Sequence, residues 1–170
     1  RLLMPRLSPD HLVYRNRPDF AWPTLEEREP LQVMGLMMQT DERLVDVASV
    51  WNALQRELEG RAGATQTASY YGVICYSETW TTGNLFYLAG AALDNPPHAH
   101  SALVAKTLPA GRYACISHAG GTEWLPLALD YVYHTWLPKK GLRPSSPLAI
   151  ESYGAHFQMA GQRTILIPVQ

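Results

Sequence analysis

Residues 112–137 run RYACISHAGGTEWLPLALDYVYHTWL. Arg112–His118 has the alternation and β-branched or aromatic content of a strand. Gly120-Gly121-Thr122 is a turn that delivers Thr122 as a helix N-cap. Residues 123–137 carry an amphipathic helical pattern, with Pro126 in the first turn, where a missing N–H is tolerated. Leu137-Pro138 predicts the end of that helix, and Lys139 and Lys140 suit its negative C-terminal end. Two further strands are expected, over Leu148–Phe157 and Arg163–Val169.

The same order of elements stands upstream. Leu31–Thr40 (LQVMGLMMQT) reads as a buried strand interrupted by Gly35, which predicts a bulge or a close backbone approach. Leu44, Val47, Trp51, Leu54 and Leu58 line one face of a helix over 42–59. Asp41 and Glu42 suit its positive end, and Gly60 suits its C-cap. Ser69–Glu78 (SYYGVICYSE) and Asn84–Leu93 (NLFYLAGAAL), joined through a Thr-Thr-Gly turn, read as a hairpin. The chain is therefore β-α-β-β written twice, over about 31–93 and 110–170. A shift of 82 residues lays Tyr71-Gly72 on Tyr153-Gly154 and Val50 on Val132. The fold expected is α+β: duplicated βαββ units form one antiparallel sheet, with two helices on one face and a central cleft between them. Residues 1–30 hold five prolines and no helical period. They read as an extended N-terminal arm or linker, with room for one short strand, ahead of a domain over 31–170.

Composition narrows the function classes. The chain has 170 residues, of which 17% are charged, and its net charge is −1. Without a basic stripe, direct nucleic-acid binding by this chain is not expected. No apolar run approaches the length of a membrane span and no signal peptide is visible, so a cytoplasmic protein, monomer or dimer, is expected. Cys75 and Cys115 are expected as free thiols rather than a disulfide. His98 and His100 lack the further ligands that a metal site needs, so no metal or other cofactor is expected. Ser117 and His118 are neighbours on a strand and point to opposite faces, which argues against a nucleophilic couple. His134 reads as a satisfied helix histidine.

Of the 17 aromatic residues, 14 are Trp or Tyr, which pair a flat face with a polar handle. Alternation along 148–157 places Glu151, Tyr153 and Phe157 on one face. A carboxylate there, if buried, must find a cation, a donor or a proton. The 82-residue shift adds Tyr71, the two helices add Trp51, Trp124 and Trp136, and the loop after the first hairpin strand adds Trp80. Together these residues suit a flat, apolar cation, held by aromatic faces and by Glu151 as counter-ion. The same glutamate in an apolar pocket also suits general acid–base chemistry. A third reading makes that face a protein-interaction surface. No catalytic residue is assigned, and a binding module is expected ahead of an enzyme.

Several short stretches in order carry a family resemblance: Tyr71-Gly72-Val73, Leu108-Pro-Ala-Gly111-Arg-Tyr113, His118-Ala-Gly120, Trp136-Leu-Pro138 with Gly141, Pro147 through Glu151-Ser-Tyr153, and Ile167-Pro168-Val169. With them, residues from about 31 to 170 resemble the GyrI-like small-molecule-binding domain, the effector-binding domain of AraC-type and MerR-type bacterial transcription activators. The resemblance implies a drug-sensing or sequestering module that binds a lipophilic cation. It implies a cleft glutamate ringed by tyrosines and tryptophans, and Glu151 matches that glutamate. It also implies two alternatives, a hydrolase using the same glutamate and a gyrase-inhibitor-like interaction module. The arm over 1–30 is too short and proline-rich to be a helix-turn-helix domain.

Overall fold

A computed structural model describes residues 7–60, 67–76, 85–93, 102–155, 157 and 161–170. Its strands are β1 (Thr24–Arg28), β2 (Leu31–Thr40), β3 (Thr67–Cys75), β4 (Leu85–Leu93), β5 (Val104–Leu108), β6 (Gly111–His118), β7 (Leu148–Gly154) and β8 (Arg163–Pro168). They form one antiparallel sheet in the order β1-β6-β8-β7-β3-β4-β2-β5. The duplication is visible in that order. Each βαββ unit places its last strand between the other two, and the units meet where β3 pairs with β7.

The outer strands are exchanged between units. β1 leads into β2 through Glu29 and Pro30 yet pairs with β6, and β5 leads into β6 through Pro109 and Ala110 yet pairs with β2. Arg28 lies opposite Gly111 and Leu31 opposite Leu108. The register is therefore unbroken across both links, and the two segments act as a pair of long, bent antiparallel strands. Because β2 and β6 are far apart in the sheet order, this continuity forces the sheet to curl.

Alternation sorts the core into two faces. Ile74, Ala89, Ala114, Ile116, Ala149, Ile165 and Ile167 join the helices in one cluster. Val73, Leu88, Cys115, Ile150 and Leu166 form the other. The second cluster is buried without a helix over it among the described residues, because the curled sheet encloses it. Cys75 and Cys115 are free thiols.

Three sequence expectations need correction. Residues 9–15 form a helix, α1, rather than an extended arm; it is under two turns long, too short for a period to register. Ser8 caps it through the His11 N–H, Pro9 begins it, and the buried His11 and Tyr14 tie it to the later helix. Tyr14 packs against Phe20 and Tyr131, and His11 bonds to Asp130 and Thr135. The helix expected over 42–59 starts later, as α2 (Val47–Glu59), because the Asp41 carboxylate accepts the Arg43 N–H and closes a local turn instead.

The second helix runs past Pro138. A 3₁₀ turn (Thr122–Trp124) leads into α3 (Leu125–Tyr131), a π-helical turn (Val132–Trp136) and α4 (Leu137–Lys140), ending at Gly141 with φ 67°. Pro138 has no N–H for the His134 carbonyl and its ring crowds that group. The ladder shifts by one residue just before it: the Leu137 N–H donates to the Val132 carbonyl, five residues back.

Gly35 marks the close approach that its place in β2 predicts. A β-carbon there would lie 1.9 Å from the Ala89 carbonyl oxygen. Replacing Gly35 by Ala should lower stability by about 2–3 kcal/mol through forced separation of β2 from β4, measured as a lower urea midpoint with an unchanged slope.

Candidate functional site

The site grows from a buried acid on β7. Glu151 is 1% exposed. It lies opposite Gly72 on β3 and Ile165 on β8, on the helix-covered face. Tyr153, two residues along, shares that face and donates its O–H to Glu151 Oε2 at 2.6 Å. Tyr87 on β4 donates to Oε1 at 2.8 Å, and Trp51 on α2 donates its indole N–H to Tyr87 Oη at 2.9 Å. Gly72 makes room for this chain. A β-carbon there would stand 2.2 Å from Tyr87 Oη and 2.8 Å from Glu151 Oε1.

The cation that balances Glu151 is Arg163, the first residue of β8. Its Nη1 donates to Glu151 Oε2 at 2.6 Å and to Tyr153 Oη at 2.8 Å, and its Nη2 donates to the Gly120 carbonyl at 2.9 Å. The guanidinium carbon is 5.2 Å from the centre of the Tyr153 ring. Arg163 is 2% exposed, so the ion pair is enclosed. Burial opposes the charge on Arg163, but Glu151 more than offsets this and its pKa is raised. Burial and then the Glu151 charge push Tyr87 and Tyr153 above the ordinary phenol range, so both stay protonated donors.

Aromatic rings wall the pair. Trp51 meets the Tyr153 ring edge-on at 5.4 Å, and Phe157 stacks flat on Trp51 at 3.8 Å. Tyr70 closes the outer side, 6.2 Å from Phe157 and 6.3 Å from Trp51. Tyr70 and Phe157 are half-buried and form the solvent-side rim.

Of the residues expected from the sequence, Glu151, Tyr153 and Trp51 come together. Tyr71 does not join them. It pairs with Ser152 and faces the other way, onto a cavity of about 250 Å³ lined also by Arg28, Leu31, Leu108, Tyr113, Ile150 and Leu166. The 82-residue shift is even, whereas residues that share a face of β3 and β7 differ by an odd number, as Gly72 and Glu151 do, so the shift exchanges the faces; Tyr70 is the aromatic of β3 that faces Trp51. Trp124 is half-buried under the Arg17 guanidinium, 4.7 Å from its ring centre. Trp136 is buried in the helix-side core on the π-helical turn. Trp80, His98 and His100 lie outside the described residues.

Tyr87 and Arg163 were not expected from the sequence. Alternation along β4 and β8 would have put them on the helix-covered face, and a carboxylate expected to be buried calls for a basic partner. His118, at the end of β6, is also buried. Burial first, then the Arg163 charge, lower its pKa. Among the described residues no three His, Cys, Asp or Glu side chains cluster to hold a metal, and no helix is long and apolar enough to cross a membrane.

The fold agrees with what the chain resembles. The family model for the GyrI-like small-molecule-binding domain matches residues 22–158, and the chain belongs to that family. The match includes β1, which the sequence reading assigned to the arm. No curated protein matches the sequence. Among solved structures, the C-terminal domain of EcmrR superposes with a TM-score of 0.70 at 15% identity, covering 89% of this chain and 98% of that one. In the EcmrR–DNA complex, the similar region spans 62% of the EcmrR chain. SAV2435 bound to tetraphenylphosphonium gives a TM-score of 0.64 at 15% identity, over 88% of this chain and 94% of that one. The integron cassette protein VCH_CASS2 from Vibrio cholerae gives 0.57 at 18% identity, over 89% and 97%. At these identities the likeness is one of fold.

Two outcomes follow from the buried pair. Arg163→Met should cost about 3–5 kcal/mol, because it strands the Glu151 charge, whereas Glu151→Gln with Arg163→Met should recover most of that loss; urea denaturation of the single and double variants measures the coupling. The lowered pKa of His118 means that the unfolded chain binds a proton there more readily than the folded one. Stability should therefore be fully present above the ordinary histidine pKa of 6.5 and fall as the pH drops below it. Urea midpoints between pH 7.5 and 5 should show this slope, and His118→Phe should flatten it.

Proposed function

We propose that this domain binds a small, flat aromatic compound at the aromatic rim above the Glu151–Arg163 pair, as an effector-sensing or sequestering module. The observation that carries this reading is Phe157 stacked on Trp51 at 3.8 Å over a floor of hydrogen-bonded polar groups. A face that accepts one planar ring at stacking distance suits another. Family membership, a fold shared with the EcmrR C-terminal domain and a neighbour bound to tetraphenylphosphonium support a ligand of that size and character.

Binding suits the site better than hydrolysis. Glu151 accepts three hydrogen bonds, two from tyrosines and one from Arg163. A carboxylate held in this way is a poor base or nucleophile, since attack would break contacts that the buried charge requires. In this reading Glu151 fixes the orientation of the aromatic walls. A regulatory role would place the DNA-contacting part in another domain or another chain.

The test is a titration with acridine as a planar aromatic probe, followed by tryptophan emission and calorimetry. Phe157→Ala and Trp51→Phe should each shift its dissociation constant by fivefold or more, about 1 kcal/mol, while Trp22→Ala, at an exposed position, leaves it unchanged. Wild-type affinity in both rim variants would place the binding elsewhere.

A further inference from the structure

We infer that Arg163 sets the charge class of the ligand: it supplies from within the chain the positive charge that Glu151 requires, so the site takes uncharged aromatic compounds in preference to lipophilic cations. This rests on the reading that the rim around Trp51 is the binding site.

A buried carboxylate attracts an organic cation only while its charge is unmet. Here the charge is met at 2.6 Å by a guanidinium that is itself enclosed. A second cation would have to give up its hydration and would approach a pair with no net charge, so the attraction that repays desolvation is absent. Three further features hold Arg163 in place. The Gly120 carbonyl accepts from Nη2, Tyr153 Oη accepts from Nη1, and β8 is fixed beside β6 by the pairing of Arg163 with His118. The guanidinium also lies over the Tyr153 ring, one of the aromatic faces that a ligand cation would use. Neither Glu151 nor Arg163 reaches solvent, so the pair cannot separate without opening the core.

The consequence is a preference that one substitution should reverse. Acridine at pH 8 and 10-methylacridinium are nearly isosteric tricycles that differ by one positive charge. The wild-type protein should bind acridine at least as tightly as 10-methylacridinium. Arg163→Met should raise the affinity for 10-methylacridinium by tenfold or more and change that for acridine by less than threefold. Adding Glu151→Gln should abolish the gain.

A wild-type protein that binds 10-methylacridinium tenfold more tightly than acridine overturns the inference, and so does an unchanged ratio in a folded Arg163→Met protein. If Arg163→Met does not fold, the wild-type ratio and that of the neutral double variant still decide. The double variant should show the same lack of preference for the cation, and a preference in wild type alone counts against Arg163. Absence of binding of either compound to wild type would instead overturn the underlying reading of the rim, a result distinct from binding with the wrong preference.

Discussion

The register that runs unbroken from β1 through β2, and from β5 through β6, governs the rest of the molecule. Each chain segment belongs to both ends of the sheet, so the sheet cannot lie flat. Curling encloses one apolar face around Val73, Leu88, Ile150 and Leu166 and leaves the other for the helices. The central β3–β7 pair then sits beneath the helix layer. Glu151 is carried there by strand position alone, before any polar partner is considered.

Once a carboxylate is placed there, its neighbours are constrained. Desolvation of the charge has to be offset, and the structure does so with one guanidinium and two phenol donors. Each partner comes from a different part of the fold: Arg163 from β8, Tyr87 from β4, Tyr153 from β7. Gly72 is needed because this cluster fills the space where a side chain on β3 would stand. Trp51 extends the network to α2 by its bond to Tyr87, so helix and sheet are coupled through polar contacts as well as apolar packing.

The duplicated βαββ pattern, the antiparallel sheet and the shared face of Glu151 and Tyr153 were legible in the sequence, because period and spacing report which residues lie on one side of an element. Whether that side is buried was left open by alternation and came only from the family resemblance. Tyr71 was assigned to the wrong face for a specific reason. Three matching residue pairs aligned the repeats by an even number, whereas residues opposite one another in β3 and β7 differ by an odd number, as Gly72 and Glu151 do. Arg163 was missed because an arginine at the head of an apolar strand reads as an exposed strand end, although alternation with Ile165 and Ile167 puts it on the helix-covered face, diagonal to Glu151. α1 and β5 escaped notice because each is short and owes its form to partners distant in sequence. The extension of the second helix past Pro138 depends on a π-helical turn that residue preference does not report.

The exchange of outer strands also orders events in time. β1 is synthesised first among the strands, yet its partner β6 lies far along the chain, with Thr24 opposite Cys115. Before β6 exists, β3, β4, β2 and β5 can pair, but β1 has no partner and the outer edge of β3 stays open until β7 is made. Closing so distant a contact costs loop entropy before it returns any bonding, which slows folding. The N-terminal segment therefore docks late, and a chain halted before residue 118 exposes the unpaired β3 edge and an unpartnered β1, which favour association with other chains.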